Sequence, residues 1–105
     1  MLRGPSVTNA LTLDSRVVST PNHLSSDLAG EIVILSLADG VYYGLDAVGA
    51  HIWQFLAQPR TVRDVVSDVA DAYSVDRARC ERDVLAFLGD LCAHQLAAVV
   101  TSGAE

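Results

Sequence analysis

The chain contains no lysine at all. Its basic charge rests on seven arginines against 13 acidic residues, a net charge of −6 over 105 residues. Nucleic-acid binders draw most of their affinity from a basic face that neutralises phosphates. This balance therefore speaks against a nucleic-acid partner and suits a neutral or basic one. No apolar run approaches the roughly 18 residues that a membrane helix needs. The opening stretch, MLRGPSVTNALTLD, holds no sustained apolar segment behind Arg3. Neither a membrane partner nor a secretory signal is expected, and a cytoplasmic location follows. Cysteine is scarce too: Cys80 and Cys92 fall in one expected helix. Twelve residues at a rise of about 1.5 Å hold them roughly 18 Å apart, too far for an internal disulfide. Both read as small core residues in a reducing compartment.

Chemistry-bearing patterns are lacking as well. His23, His51 and His94 are scattered, and none has a Cys, His or carboxylate at metal-ligand spacing. There is no glycine-rich phosphate loop. Ser25-Ser26-Asp27 has neither an elbow motif nor a paired histidine. Cys80 lies near a helix start beside Arg77 and Arg79, a setting that lowers the pKa of an exposed thiol. It also fits the apolar stripe of its helix, which favours the core. No enzyme, metal or cofactor is expected. Repeats and low-complexity segments are absent.

What is present is enough for one packed domain, since half of the residues are apolar. Residues 1–14 carry neither strand nor helix periodicity and read as a loose arm. The domain is expected over 15–100, with 101–105 as a tail. Ser15 to Thr20, SRVVST, reads as a strand stopped by Pro21-Asn22. His23 to Ala29 alternates weakly and could continue that strand around a bend. Glu31 to Leu37, EIVILSL, is the strongest strand signal. Asp39-Gly40 then predicts a hairpin turn, because Gly accepts a positive φ without strain. Val41 to Leu45 is the returning strand.

Three helices follow. Asp46 is placed to cap the first, on which Leu45, Val48, Gly49, Ile52, Trp53 and Leu56 share a stripe. Gly49 weakens a helix by about 1 kcal/mol relative to Ala, so the close approach of another backbone is expected there. Thr61 and Asp64 resemble a capping box for the second helix, which runs to about Tyr73. Asp76 caps the third, whose stripe is Cys80, Val84, Phe87, Leu88 and Leu91. Leu96 to Val100, LAAVV, could pack as a final strand. The fold class is α+β: a three-stranded antiparallel sheet followed by three helices, as in a winged helix-turn-helix.

In such a meander Val41, Tyr42, Tyr43, Gly44 and Leu45 form an edge strand with no charge or proline to guard it. An unguarded edge is either covered or used for strand addition. Tyr42 and Tyr43 point to opposite faces, so one of them faces outward or into a groove. Trp53 is expected in the core. Arg77, Arg79 and Arg82 could hold an acidic or aromatic peptide side chain, or form a solvated face paired with Glu81 and Asp83.

The strand EIVILSL, the turn ADG, the junction VYYGLDAVGAHIW, the stretch PRTVRDVV, AYSVD and the pattern ERDVLAFLGDLCAHQL together resemble the PqqD-like family of precursor-peptide recognition elements, over about Ser25 to Val100. The resemblance implies a non-catalytic domain that receives the leader segment of a ribosomally made precursor peptide. The leader adds as an antiparallel strand to Val41–Leu45, in a groove walled by the first half of the third helix. The strand so implied is Val41, Tyr42, Tyr43, Gly44 and Leu45, and helical periodicity then picks Arg79, Cys80, Asp83, Val84 and Phe87 as the peptide-binding positions of the helix wall. The chain looks most like the stand-alone elements of lasso-peptide pathways, which act with a separate leader peptidase or modifying enzyme. The pyrroloquinoline quinone chaperone is the alternative, and a winged-helix DNA binder is the reading from a different class. A glycine common near the end of the family's third helix is replaced here by Gln95.

Overall fold

The computed structural model describes residues 11–28 and 31–100. The strands are β1 (Arg16–Ser19), β2 (His23–Leu28), β3 (Glu31–Ser36), β4 (Tyr42–Leu45), β5 (Arg60–Thr61) and β6 (Ala97–Val100). The helices are α1 (Ala47–Phe55), α2 (Val62–Tyr73) and α3 (Arg77–Ala93). The strands divide into two antiparallel three-stranded sheets, ordered β5-β1-β6 and β2-β3-β4. The meander of strands before the helices is thus β2-β3-β4. Segment 23–28 is a strand of its own, not an extension of β1. β1 lies in the other sheet, where the C-terminal segment returns as β6 and pairs with it over four residues, from Arg16↔Val100 to Ser19↔Ala97.

Local chemistry accounts for the helix boundaries. Asp46, Thr61 and Asp76 each accept a hydrogen bond from the amide three residues on: Gly49 at 2.8 Å, Asp64 at 3.0 Å and Arg79 at 3.0 Å. Each cap satisfies an amide that would otherwise lack a partner in the first helical turn. α2 ends at Ser74, in left-handed geometry with φ 53°. α3 ends where the family pattern is broken. Gln95 adopts φ 62°, and Leu96 N–H reaches back to Leu91 C=O at 2.8 Å. The left-handed helix stop forms without glycine, at a steric cost of about 1–2 kcal/mol.

The core lies between the two sheets and the three helices. It holds Val17, Ile34, Leu45, Ile52, Trp53, Leu56, the valines of α2, and Leu88, Leu91 and Leu96. His23 packs edge-on against Trp53, with ring centroids 4.9 Å apart. The N-terminal boundary differs in detail from the sequence expectation. Of the arm expected over 1–14, residues 1–10 lie outside the described residues. Leu11 and Leu13 pack against the core, and Arg63 binds both Leu13 C=O and the Asp14 carboxylate, each at 2.9 Å. The tail at 101–105 also lies outside the described residues. Gly49 has a different reason from the one expected. A side chain there would meet the Asp46 carboxylate at 3.3 Å and the Leu45 side chain at 3.5 Å, so it is the helix cap, not another backbone, that crowds it.

Candidate peptide-binding groove

The β3–β4 hairpin sets the geometry of the site. Gly40 supplies the positive φ, 73°, but Asp39 stays out of the left-handed region. The turn is therefore a four-residue loop and not a two-residue one. The Asp39 carboxylate accepts the Val41 N–H at 3.1 Å, and Ser36 N–H donates to Val41 C=O at 2.9 Å. Hydrogen-bonded and non-hydrogen-bonded pairs alternate along an antiparallel ladder. The register Ile34↔Tyr43 and Ile32↔Leu45 continues the bonded series. The main-chain groups of Tyr43 and Leu45 thus face β3, while those of Tyr42 and Gly44 face away from the sheet. Among the described residues no strand pairs with that outer edge.

The side chains alternate in the opposite sense. Leu45 is buried and Tyr43 is half-buried on the core side, whereas Tyr42 is 70 % exposed on the other. Tyr43 packs edge-on against His94 with centroids 5.1 Å apart. Burial, with the nearby Asp39 and Asp90 carboxylates adding to it, holds the Tyr43 phenol above its ordinary pKa. His94 Nδ1 lies 2.5 Å from Asp39 Oδ2, and Ser36 donates its hydroxyl to His94 C=O at 2.8 Å. These contacts fasten the hairpin turn to the end of α3.

Beside β4 opens a groove of about 680 Å³. β4 contributes Gly44 to it, and the α1 cap contributes Asp46. Val48, Gly49 and Ile52 come from α1, Val69 and Tyr73 from α2, and Val75 and Asp76 from the turn before α3. The far wall is Arg79, Cys80, Asp83, Val84 and Phe87. Cys80, Val84 and Phe87 recur at four- and three-residue spacing and so share one face of α3. The wall is apolar at depth and charged at the rim, where Arg79 and Asp83 lie 3.9 Å apart and largely in solvent.

Of the ten residues picked from sequence, the structure gathers Gly44, Arg79, Cys80, Asp83, Val84 and Phe87 around this groove. Tyr42 presents its main chain at the edge. Val41, Tyr43 and Leu45 do not line the groove: Val41 closes the hairpin, and the other two turn toward the core. Sequence reasoning missed Asp46, Val48, Gly49, Ile52, Val69, Tyr73, Val75 and Asp76 as lining residues. Most of them carry the same periodic signal as core residues, and only the gap between β4 and α3 makes them a lining. The Cys80 thiol, buried and donating weakly to Val66 C=O at 3.7 Å, is pushed above its ordinary pKa by burial. The neighbouring Asp83 and Glu81 act in the same sense, and Arg77 opposes them without reversing the shift. Arg77 instead reaches Ser67 at 3.0 Å and lies 3.9 Å from Glu81, as a paired helix face would. Among the described residues no group of three or more His, Cys, Asp or Glu side chains could hold a metal ion, and no helix is long and apolar enough to cross a membrane.

Residues 31–97, the span from β3 to the start of β6, match the family model for coenzyme PQQ synthesis protein D (PqqD). The chain belongs to the PqqD family. Two solved structures resemble this PqqD-family chain closely. One is TbiB1 in complex with the TbiA(beta) leader peptide, at 36 % identity and a TM-score of 0.67, covering 76 % of this chain and 93 % of that one. The other is a lasso peptide synthetase B1 complexed with the leader peptide, at 26 % identity and the same TM-score, covering 78 % and 96 %. No curated protein sequence matches the chain.

Proposed function

We propose that this PqqD-family protein is a non-catalytic recognition element that binds the leader segment of a ribosomally made precursor peptide, in lasso-peptide biosynthesis. The observation that carries the reading is the open edge of β4. The main-chain groups of Tyr42 and Gly44 face outward beside a groove walled by α3. A peptide laid antiparallel along this edge gains main-chain hydrogen bonds that any sequence can make. Alternate side chains then enter the groove and supply selectivity. Cys80, Val84 and Phe87 favour an apolar side chain at depth, and Arg79 and Asp83 offer charge at the rim. The similarity to two leader-peptide complexes supports the same reading.

The chain carries out no chemistry in this reading, so the bound peptide must be passed to a separate leader peptidase or modifying enzyme. Ribosomal precursors are made in the cytoplasm, and the chain acts there. The test is a fluorescence-polarisation titration of the full chain with a labelled leader peptide from a precursor encoded beside it. Saturable binding, undisturbed by excess duplex DNA, is the expected outcome. A folded chain that binds no neighbouring leader but binds duplex DNA, with steep weakening by salt, overturns the reading in favour of a winged-helix DNA binder.

A further inference from the structure

The face of the β2-β3-β4 sheet turned away from the helices is unusual for a wet surface. Antiparallel sheets with one solvated face place polar residues there. Here the cross-strand row Leu24–Leu35–Tyr42 runs over all three strands, each residue directly opposite the next. Leu24 is 60 % exposed, and Leu37, further along the same face, is 56 % exposed. Singly scattered apolar residues on a surface need no explanation, but a contiguous exposed group marks an interaction site. Among the described residues nothing covers this one.

The charge around the face limits what can dock there. From Val17 to Pro59 the chain has no Arg or Lys, but it has four carboxylates: Asp27, Glu31, Asp39 and Asp46. Asp39 is engaged by His94 and Asp46 by its helix. Asp27, in the cross-strand row of Ile32 and Leu45, lies on the helix-facing side, so Glu31, exposed at the end of the sheet away from the hairpin turn, is the carboxylate of the outer face. With a net charge of −6 and no Arg or Lys along these strands, two copies of the chain repel each other, which disfavours self-association through this face. The complementary surface has an apolar centre and an Arg- or Lys-bearing rim. The face also adjoins the peptide edge, because Tyr42 lies on both: its side chain belongs to the apolar row and its main chain to the open edge. A protein seated on this row is in reach of a peptide held at β4.

We propose that this outer sheet face is the docking surface for the enzyme that cuts or modifies the presented peptide, and that the enzyme meets it with an apolar patch bordered by basic residues. The proposal rests on the peptide-presenting reading given above. Its test uses full-length protein carrying Leu24→Ser with Leu37→Ser, and a second variant, Glu31→Lys. None of these positions lines the groove or the β4 edge. Each variant is titrated with the labelled leader and, separately, with each purified maturation enzyme encoded beside the chain. Leader affinity is expected to stay within about twofold of wild type, while affinity for one enzyme falls at least about tenfold in the double variant and falls also in Glu31→Lys. Enzyme binding that is unchanged in the variants, or an apolar row that instead drives self-association of the wild-type chain in sedimentation, overturns the docking surface. Wild-type protein that binds the enzyme through this face but binds no leader leaves the docking surface standing and removes the presenting role.

Discussion

His94 Nδ1 lies 2.5 Å from Asp39 Oδ2, which ties the tip of the β3–β4 hairpin to the C-terminal end of α3. The two walls of the groove, β4 and α3, are thereby joined at one end. The main chain strengthens the join through the Ser36 hydroxyl on His94 C=O, and Tyr43 packs against the imidazole.

This pair makes stability depend on pH in a defined sense. The hydrogen bond from His94 lowers the Asp39 pKa below 3.8, and the Val41 N–H contributes in the same direction. A depressed carboxylate binds protons less readily in the folded state than in the unfolded one. Its stabilisation is therefore complete well above the unfolded value and drains away as pH falls through the lower folded value. Asp39→Asn is expected to lower the thermal midpoint at neutral pH. The gap from wild type should narrow steadily below about pH 4. Thermal unfolding of both proteins across this range checks it, and a gap independent of pH contradicts the assignment.

Main-chain direction along β4 separates two proline substitutions. The Tyr42 N–H faces the open edge, so Tyr42→Pro removes a donor that the fold does not use, at an edge position that tolerates proline. It should leave the far-ultraviolet circular dichroism unchanged while weakening leader binding at least about tenfold, through a lost hydrogen bond and the bulk of the ring. The Tyr43 N–H faces β3, so Tyr43→Pro should unfold the hairpin. Equal leader affinity for wild type and folded Tyr42→Pro would rule out strand addition at this edge.

Phe87 is half-buried on the groove face of α3. Phe87→Ala should widen the groove and reduce leader affinity at least about tenfold, with the protein still folding cooperatively in denaturant. Arg79→Ala, at the rim, is expected to change stability by less than about 0.5 kcal/mol, because its partner Asp83 is equally exposed.

Gln95 bears a left-handed backbone that favours glycine. Gln95→Gly should raise the unfolding free energy by about 1 kcal/mol, the steric relief exceeding the entropy added to the unfolded chain. The hydrogen bond from the Thr20 hydroxyl to the residue-95 carbonyl, 2.6 Å, uses only main chain on that side and is retained. Urea denaturation of the two proteins checks the sign.

Much of this architecture is local and could be read from the chain alone. Asp46, Thr61 and Asp76 cap helices because a short acceptor side chain reaches an amide three residues on, whatever the rest of the molecule does. Gly40 turns the hairpin for the same kind of reason, and the apolar stripes of α1 to α3 follow from helical periodicity. The unguarded β4 was also legible, because charge and proline are simply missing from VYYGL. Tertiary structure alone decided the rest. β1 pairs with β6 across about eighty residues, a partnership that no local pattern encodes. Periodicity marks Ile52, Val69 and Val84 as apolar-facing, but it cannot say whether the space they face is filled. Only the separation of β4 from α3 leaves that space open as a groove. Burial likewise overrode the local arginines at Cys80, because desolvation depends on what packs around a thiol and not on its neighbours in sequence.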